Sequence, residues 1–96
     1  MVMLKKWSFL KTMKISFAKT VKKHYQYWID NDRQVLKKIN ELIYDIQKTP
    51  FEGLGKPEAL KFNLCGYWSR RINHEHRLVY KIEDDIVIII QCRYHY

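Results

Sequence analysis

Four arginines and three histidines gather in the last third of the sequence, where the residue pattern predicts β-strands. They are Arg70, Arg71, Arg77 and Arg93, with His74, His76 and His95. Guanidinium groups bind phosphate and stabilise negative charge, and imidazole gives and takes protons near neutral pH. Together these side chains could bind a phosphodiester and move the protons that its cleavage requires.

Three predicted strands in succession carry most of these residues. They cover residues 68–72, 76–82 and 86–90, and the third is an unbroken apolar run of β-branched residues. Such a run is typical of a central strand that is buried on both faces. The first two strands are expected to form a hairpin with residues 73–75 at its tip.

The length of that hairpin turn decides where Arg71 and Arg77 lie. A three-residue turn places them directly opposite each other on one face, whereas a two-residue turn places them on opposite faces. Two like charges opposite each other destabilise a hairpin by up to ~1 kcal/mol, so such a pair indicates a bound anion, for which phosphate is the obvious candidate. Two solvated surface arginines are the simpler alternative.

The earlier part of the chain predicts one short strand, over residues 14–17, and two helices. The first helix, from residue 18 to about 29, carries an aromatic stripe that core packing explains, and the second covers residues 33–48. Asn31 or Asp32 is expected to cap the second helix. The predicted apolar positions are Val21, Tyr25 and Trp28 in the first helix, and Val35, Ile39, Leu42, Ile43 and Ile46 in the second.

A loop over residues 49–57 is expected to present Glu58 at the edge of the sheet. After it, apolar residues alternate with polar ones over residues 60–65, which predicts a strand with one face in the core. The order of strand, two helices and four strands predicts an α+β fold. A short N-terminal strand and a two-helix hairpin would accompany a mainly antiparallel sheet, with the helices packed on one of its faces.

Length, charge and cysteine usage limit the classes of function. The chain has 96 residues, enough for one domain, and its 18 Lys+Arg against 10 Asp+Glu give a net charge of +8. Such a surface favours nucleic acid, an acidic protein or an anionic membrane as partner. No stretch approaches about 18 apolar residues, so no membrane span is predicted. Cys65 and Cys92 fall in predicted strands without the spacing of a zinc site, and are expected to be buried thiols.

From about Met13 onward the sequence resembles the YoeB/Txe toxins of the RelE/ParE superfamily. The matching motifs are KKINELI (37–43), TPFEGLGKPEALK (49–61), NLCGYWSRRI (63–72), EHRLVY (75–80) and the terminal CRYHY. The resemblance implies a RelE/ParE-like toxin domain over residues 13–96, preceded by an N-terminal extension over residues 1–12. The apolar stretch of that extension is too short for a signal peptide.

The same resemblance implies a cytoplasmic toxin of a type II toxin–antitoxin system. Members of this family enter the ribosome and cut translated mRNA in the A site, by metal-free acid–base chemistry and without a cofactor. Each is neutralised by a cognate antitoxin, of the YefM/Axe type in this branch, and toxin dimers are known. The expected partners are therefore an antitoxin, the ribosome with its mRNA, and a second copy of the chain.

The matching motifs also carry residue roles. The resemblance implies that Glu58 is the general base and His95 the general acid, with the reverse assignment left open. Arg71 and Arg77 would hold the scissile phosphate and stabilise its transition state, and Tyr96 would orient the substrate or stack on it. Weaker candidates, for contacts to the RNA or ribosome backbone, are Lys56, Lys61 and Arg70.

Two other classes of function remain open. The ParE branch shares the fold but poisons DNA gyrase and lacks the nuclease residues, so His95 would then be idle. A basic RNA-binding module without catalysis predicts binding that falls steeply with salt, and no cleavage. A lone histidine near a chain end is more often part of a frayed tail than a catalyst. The nuclease is favoured by five residues together, Glu58, Arg71, Arg77, His95 and Tyr96.

Overall fold

A computed structural model describes residues 13–94, which form a five-stranded sheet with two helices against one face. The strands are β1 (Lys14–Phe17), β2 (Glu58–Ala59), β3 (Trp68–Arg71), β4 (Arg77–Glu83) and β5 (Ile86–Gln91), and the helices are α1 (Lys19–Asn31) and α2 (Arg33–Lys48). The strand order is β1-β5-β4-β3-β2, with β1 parallel to β5 and every other pair antiparallel. The predicted α+β class and its mainly antiparallel sheet are confirmed. The predicted extension over residues 1–12, His95 and Tyr96 lie outside the described residues.

Asp32 is the single residue that links the two helices. Its carboxylate accepts hydrogen bonds from the amides of Gln34 and Val35, at 3.1 and 3.2 Å, and so satisfies donors that the first turn of α2 leaves unpaired. Of the two predicted caps, Asp32 is confirmed. The Tyr25 hydroxyl donates to Asn40 Oδ1 at 2.6 Å, and these residues lie at similar spacings on either side of the link. The helices therefore form the predicted antiparallel hairpin.

The core lies between these helices and the face of the sheet that they cover. From α1 it takes Val21 and Trp28, from α2 Ile39, Leu42, Ile43 and Ile46, and from β4 and β5 the alternate residues Leu78, Tyr80, Val87 and Ile89. Apolar residues at the helical period line one side of each helix, and alternate residues line one side of each strand. These two apolar sides face each other and form the core. Both predicted helical stripes are confirmed, with Tyr25 and Val35 partly buried at their margins.

β5 is an internal strand, as predicted, but it is not buried on both faces. Val87 and Ile89 are fully buried on the helix side, whereas Ile86 and Ile88 on the other side are only half-buried. No helix among residues 13–94 covers that second face. We call it the open face of the sheet, and it is the face available to a large ligand.

The strand predicted over residues 60–65 is wrong. Leu60 is buried, but Phe62 is 91% exposed, and the Phe62–Leu64 segment is a short 3-10 helix. Phe62 and Gly66 both have positive φ, at 59° and 98°, so the chain turns where an extended strand was expected. The apolar alternation misled because only its first member enters the core.

The two thiols differ in their surroundings. Cys92 is fully buried, and burial raises the pKa of its thiol to about 12, whereas Cys65 is exposed, so its predicted burial is wrong. Cys92 follows the end of β5 and Cys65 follows the 3-10 helix, so neither lies in a strand. Over residues 13–94, neither helix is long and apolar enough to cross a membrane.

Candidate active site

Arg71 and Arg77 lie directly opposite each other on β3 and β4, at the end of the strands next to the hairpin turn. The turn contains three residues, and the Asn73 side chain stabilises it by accepting hydrogen bonds from the amides of Glu75 and His76, at 2.9 and 2.8 Å. This register is the one that the three-residue turn predicts. Both arginines therefore project from one face, and the neighbouring core residue Leu78 shows that this is the open face.

The backbone amides of the two arginines point away from each other. The Arg71 amide donates to the Gly55 carbonyl at 2.7 Å, and the Arg77 amide donates to the Tyr94 carbonyl at 3.0 Å. The arginines therefore form a non-hydrogen-bonded pair, the kind in which side chains approach most closely. The same two bonds fix a different segment on each side of the pair: the loop that leads to Glu58, and the segment from which the chain continues to His95.

Glu58 lies on β2, beside β3, and pairs with Ser69. Ser69 and Arg71 are two residues apart on β3, so their side chains share a face, and a directly paired residue such as Glu58 shares it too. Glu58 is exposed, and its partner Ser69 lies two residues before Arg71 on β3. Glu58 therefore lies on an edge strand, where the loop was expected to present it, and on the same open face as the two arginines.

A shallow cavity of about 240 Å³ lies at the arginine pair and is lined by Arg71, Asn73, His74 and Arg77. Arg77 Nη1 donates to the carbonyl oxygens of Asn73 and His76, at 2.8 and 3.2 Å, which holds this guanidinium against the hairpin turn. A cavity of this size, with two cations in its wall, matches a phosphate group and its neighbouring atoms.

Arg70 lies on the opposite face, and its predicted contact with RNA is wrong. It is fully buried, and each of its five N–H groups has a partner inside the protein. Nε donates to the Tyr80 hydroxyl at 3.1 Å, and the other donors bind the Asp45 carboxylate and the carbonyl oxygens of Thr49, Glu52 and Leu54. Successive side chains on a strand point to opposite faces, so Arg70 faces the core while Arg71 faces the open side.

Asp45 on α2 completes this buried cluster. Its carboxylate lies 2.6 Å from Arg70 Nη1 and accepts the Leu54 amide at 3.0 Å. Burial alone would raise the pKa of this carboxyl group, but the Leu54 amide and the Arg70 guanidinium outweigh it and lower the pKa below 3.8. Asp45 is therefore a charged anchor at neutral pH, and with Arg70 it fixes the loop that precedes Glu58.

Three side chains hold residues 92–94: two from α1 and one from the residue immediately before β4. Trp28 Nε1 donates to the Cys92 carbonyl at 2.8 Å, and His24 Nδ1 accepts the Cys92 amide at 3.3 Å. His76 Nδ1 accepts the Tyr94 amide at 2.7 Å, and its ring lies edge-on to Trp28 with the centroids 4.8 Å apart. The segment therefore continues past β5 as a fixed strip beside Arg77.

Arg93 is held by aromatic rings. Its guanidinium carbon lies 3.3 Å from the centroid of the Tyr27 ring and 4.6 Å from that of Tyr94, so the cation is sandwiched between a helix residue and a segment residue. Within residues 13–94, its Nε is buried without a hydrogen-bond partner. Burial, and then the positive charge of Arg93, lower the pKa of the nearby His24.

Of the predicted site residues, the structure pairs Arg71 with Arg77 and places Glu58 on the same face, outside the lining of the cavity. Lys56 and Lys61 are exposed on either side of β2, so their predicted backbone contacts stay predictions. His95 and Tyr96 lie outside the described residues. The sequence interpretation missed the supporting role of Asp45, His24, Trp28 and His76. The i, i+4 spacing of His24 and Trp28 was a detectable signal, because it places both on one face of α1.

The sequence profile of a family described as "YoeB-like toxin of bacterial type II toxin-antitoxin system" matches residues 17–96. The chain belongs to this family. Toxin YoeB of Escherichia coli K12 is 56% identical over 84 residues, which cover 88% of the chain and 100% of the relative. This YoeB-like toxin is therefore the toxin component of a type II toxin–antitoxin system.

Two solved structures from Staphylococcus aureus show the same fold. A YoeB dimer superposes with a TM-score of 0.83 at 49% identity, covering 90% of this chain and 100% of that one. A heterotetrameric YoeB–YefM toxin–antitoxin complex gives a TM-score of 0.81 at 49% identity, with the same coverage. The YoeB-like toxin therefore has the architecture of toxins that were solved both as a dimer and bound to an antitoxin.

Proposed function

We propose that this YoeB-like toxin is a ribosome-dependent endoribonuclease that cleaves translated mRNA in the A site. One observation carries the proposal: Arg71 and Arg77 are paired on the open face, between Gly55 of the loop that leads to Glu58 and Tyr94 of the segment that leads to His95. A pair of cations, a carboxylate and an imidazole are the groups that phosphodiester cleavage by an internal hydroxyl requires.

The proposed reaction uses the ribose 2′-hydroxyl as nucleophile. Glu58 takes its proton while the 2′-oxygen attacks the phosphorus, and Arg71 and Arg77 stabilise the additional negative charge on the phosphorane oxygens. His95 donates a proton to the departing 5′-oxygen as the bond from phosphorus to that oxygen breaks, and Tyr96 orients or stacks on the substrate. The products are a 2′,3′-cyclic phosphate and a 5′-hydroxyl end. The named residues provide every proton transfer and charge contact in these steps.

The arginine pair supports a phosphate ligand on energetic grounds. Two like charges in a directly opposed pair destabilise the hairpin, by up to ~1 kcal/mol relative to a neutral pair. An anion between them converts that repulsion into two charge-assisted contacts. The net charge of the whole chain, +8, would attract RNA and the ribosome over longer distances, with Lys56 and Lys61 as proposed backbone contacts.

The proposed partners follow from the solved relatives and from the chemistry. A YefM-type antitoxin is proposed because the Staphylococcus aureus toxin was solved in complex with YefM, and a homodimer because another structure contains a YoeB dimer. The ribosome would position the mRNA on the open face, in the cytoplasm. An exposed site of this kind relies on a large partner to exclude water and align the 2′-oxygen with the phosphorus.

Primer extension on an mRNA translated in a reconstituted system tests the proposal. Wild-type protein should produce cuts at ribosome-positioned sites, and Arg71→Ala should reduce the cleavage rate about 100-fold or more, as does the loss of one contact to a transition-state oxyanion. Arg33→Ala is the matched control, because it removes the same charge from an exposed position on α2. It should cleave like the wild type.

The other outcomes separate the alternative functions. Equal losses in Arg71→Ala and Arg33→Ala would indicate a basic RNA-binding surface without a defined site. Growth arrest with intact mRNA would contradict the nuclease and favour a ParE-like toxin, for which a DNA gyrase assay is the next experiment.

A further inference from the structure

Two backbone amides in residues 92–94 donate hydrogen bonds to histidine nitrogens instead of to carbonyl groups of a neighbouring strand. The Cys92 amide lies 3.3 Å from His24 Nδ1, and the Tyr94 amide lies 2.7 Å from His76 Nδ1. A buried backbone donor left unpaired costs about 1–3 kcal/mol, which makes the acceptor for the amide of the fully buried Cys92 necessary, and the short contact at the exposed Tyr94 fixes the segment at a second point. The two acceptors come from different parts of the fold, α1 and the residue immediately before β4, and contact the segment at two points.

Both contacts require one particular tautomer. An imidazole nitrogen that accepts a hydrogen bond carries no proton, so each neutral ring has its hydrogen on Nε2. Trp28 packs edge-on against His76 and also donates to the Cys92 carbonyl at 2.8 Å, which links the two contacts through one indole. The two histidines and Trp28 thus form one support beneath the segment.

Hydrogen bonds fix the segment beside the arginine pair. The Tyr94 carbonyl accepts the Arg77 amide at 3.0 Å and the Gln91 side-chain amide at 3.0 Å, so both the amide and the carbonyl of Tyr94 are fixed. Tyr94 has a left-handed backbone conformation, with φ of 72°, which a non-glycine residue adopts only when its surroundings impose it. His76 provides one of the bonds that impose it.

We propose that His24 and His76 are positioning residues, which hold residues 92–94, the segment from which the chain continues to His95, beside Arg77. This inference rests on the proposed nuclease function, because His95 is the proposed general acid. Neither histidine contacts the substrate in this arrangement. A catalytic group displaced by about 1 Å loses about 100-fold in rate, so a support of this kind controls the turnover rate.

Asparagine and leucine substitutions distinguish the effect of the hydrogen-bond acceptor from the effect of side-chain volume. Asparagine Oδ1 occupies nearly the position of histidine Nδ1, whereas leucine fills the space without an acceptor. His76→Leu should lower the single-turnover cleavage rate at saturating toxin about tenfold or more, and His76→Asn should keep it within about threefold of the wild type. At His24 the leucine variant should likewise cleave more slowly than the asparagine variant. Gln26→Leu, at an exposed position of α1, is the control and should cleave normally.

Two measurements test the support without using activity. Imidazole ¹⁵N shifts of the folded wild type should show unprotonated Nδ1 at both His24 and His76. Amide exchange at Tyr94 should be slow in the wild type and in His76→Asn, and faster in His76→Leu. If His76→Leu does not fold, His76→Gln replaces it, because glutamine moves the acceptor one atom farther from the backbone and should also lose activity.

Several results would overturn the proposal. They are an Nδ1-protonated tautomer in the wild type, undiminished cleavage by both leucine variants, and equal losses in the asparagine and leucine variants. A wild type that cuts no mRNA would instead contradict the nuclease itself. The tautomers and the Tyr94 exchange rates would then decide whether the histidines hold the segment.

Discussion

Arg70 Nη1 lies 2.6 Å from an Asp45 carboxylate oxygen, in an ion pair whose arginine is fully buried. The same oxygen accepts the Leu54 amide, and the remaining Arg70 donors bind loop carbonyls and the Tyr80 hydroxyl. The pair therefore connects α2, β3 and the loop that precedes Glu58. One face of β3 carries this structural arginine, while the other carries Arg71 of the proposed site.

Replacing Arg70 should destabilise the fold severely. Arg70→Met leaves Asp45 and several carbonyl groups without their partner, and removing one member of a buried pair costs about 3–5 kcal/mol. Denaturant unfolding measures this loss. Lys81→Met is the matched control, because it breaks the exposed Lys81–Glu83 pair, at 3.1 Å, and should change the unfolding free energy little. Equal effects of the two substitutions would contradict the anchoring role of Arg70.

The stability of the fold should depend on pH through His24. Its pKa is lowered below 6.5, first by burial and then by the charge of Arg93, and the Tyr94 ring and the Cys92 amide also face it. The folded protein therefore binds fewer protons than the unfolded chain. The contribution is complete above pH 6.5 and is lost as the pH falls from 6.5 through the folded pKa.

His24→Asn tests this linkage, because it keeps an acceptor and removes the titration. Unfolding free energies at about pH 7.5 and pH 5 should fall less in the variant than in the wild type, since other titrating groups are common to both. An equal fall in the two proteins would show that His24 does not contribute.

Gly55 has φ of 79°, and a Cβ atom there would lie 2.9 Å from Leu42 Cδ2 and 3.1 Å from the Arg71 carbonyl oxygen. Gly55→Ala should therefore lower the unfolding free energy through both backbone strain and overpacking, by about 2–4 kcal/mol. Gly66→Ala isolates the strain, because Gly66 has φ of 98° and no atom of residues 13–94 beyond its chain neighbours lies within 4 Å of an added Cβ. It should cost about 1–2 kcal/mol. Similar losses would exclude a packing effect at Gly55.

The repulsion between Arg71 and Arg77 gives a prediction about stability. Arg71→Gln should raise the unfolding free energy in buffer without multivalent anions, by up to ~1 kcal/mol, although it should reduce cleavage. Sulfate should stabilise the wild type more than this variant, because it binds the folded pair. Arg33→Gln is the control and should keep the wild-type response to sulfate. If sulfate stabilises Arg71→Gln as much as the wild type, the pair is not an anion site.

Local patterns in the sequence predicted most of the fold. The stripe of α2 depends on residues close in the chain, so periodicity suffices to predict it, whereas local patterns left the cap open between Asn31 and Asp32 and the turn after β3 open between two and three residues. The alternation at Leu60 and Phe62 failed because the chain turns there, at positive φ, before the strand pattern can continue.

The candidate site was predicted less completely, because its supports are long-range contacts. That Arg71 faces the site while Arg70 is buried depends on which face α2 covers, and on Asp45, which is 25 residues away. His24 accepts a hydrogen bond from the Cys92 amide, 68 residues away in the sequence. No local pattern pairs such residues, so only their placement in the fold shows the relationship. The predicted roles of His95 and Tyr96 stay predictions.

The most direct test of the proposed chemistry is an mRNA with a single 2′-deoxynucleotide immediately 5′ of the scissile phosphate. It would be translated in a reconstituted system with wild-type protein and compared with the all-ribose mRNA. Attack by the 2′-hydroxyl predicts cleavage of the all-ribose mRNA, with a 2′,3′-cyclic phosphate end, and no cleavage at the substituted position. Equal cleavage of both mRNAs at that position would contradict the mechanism.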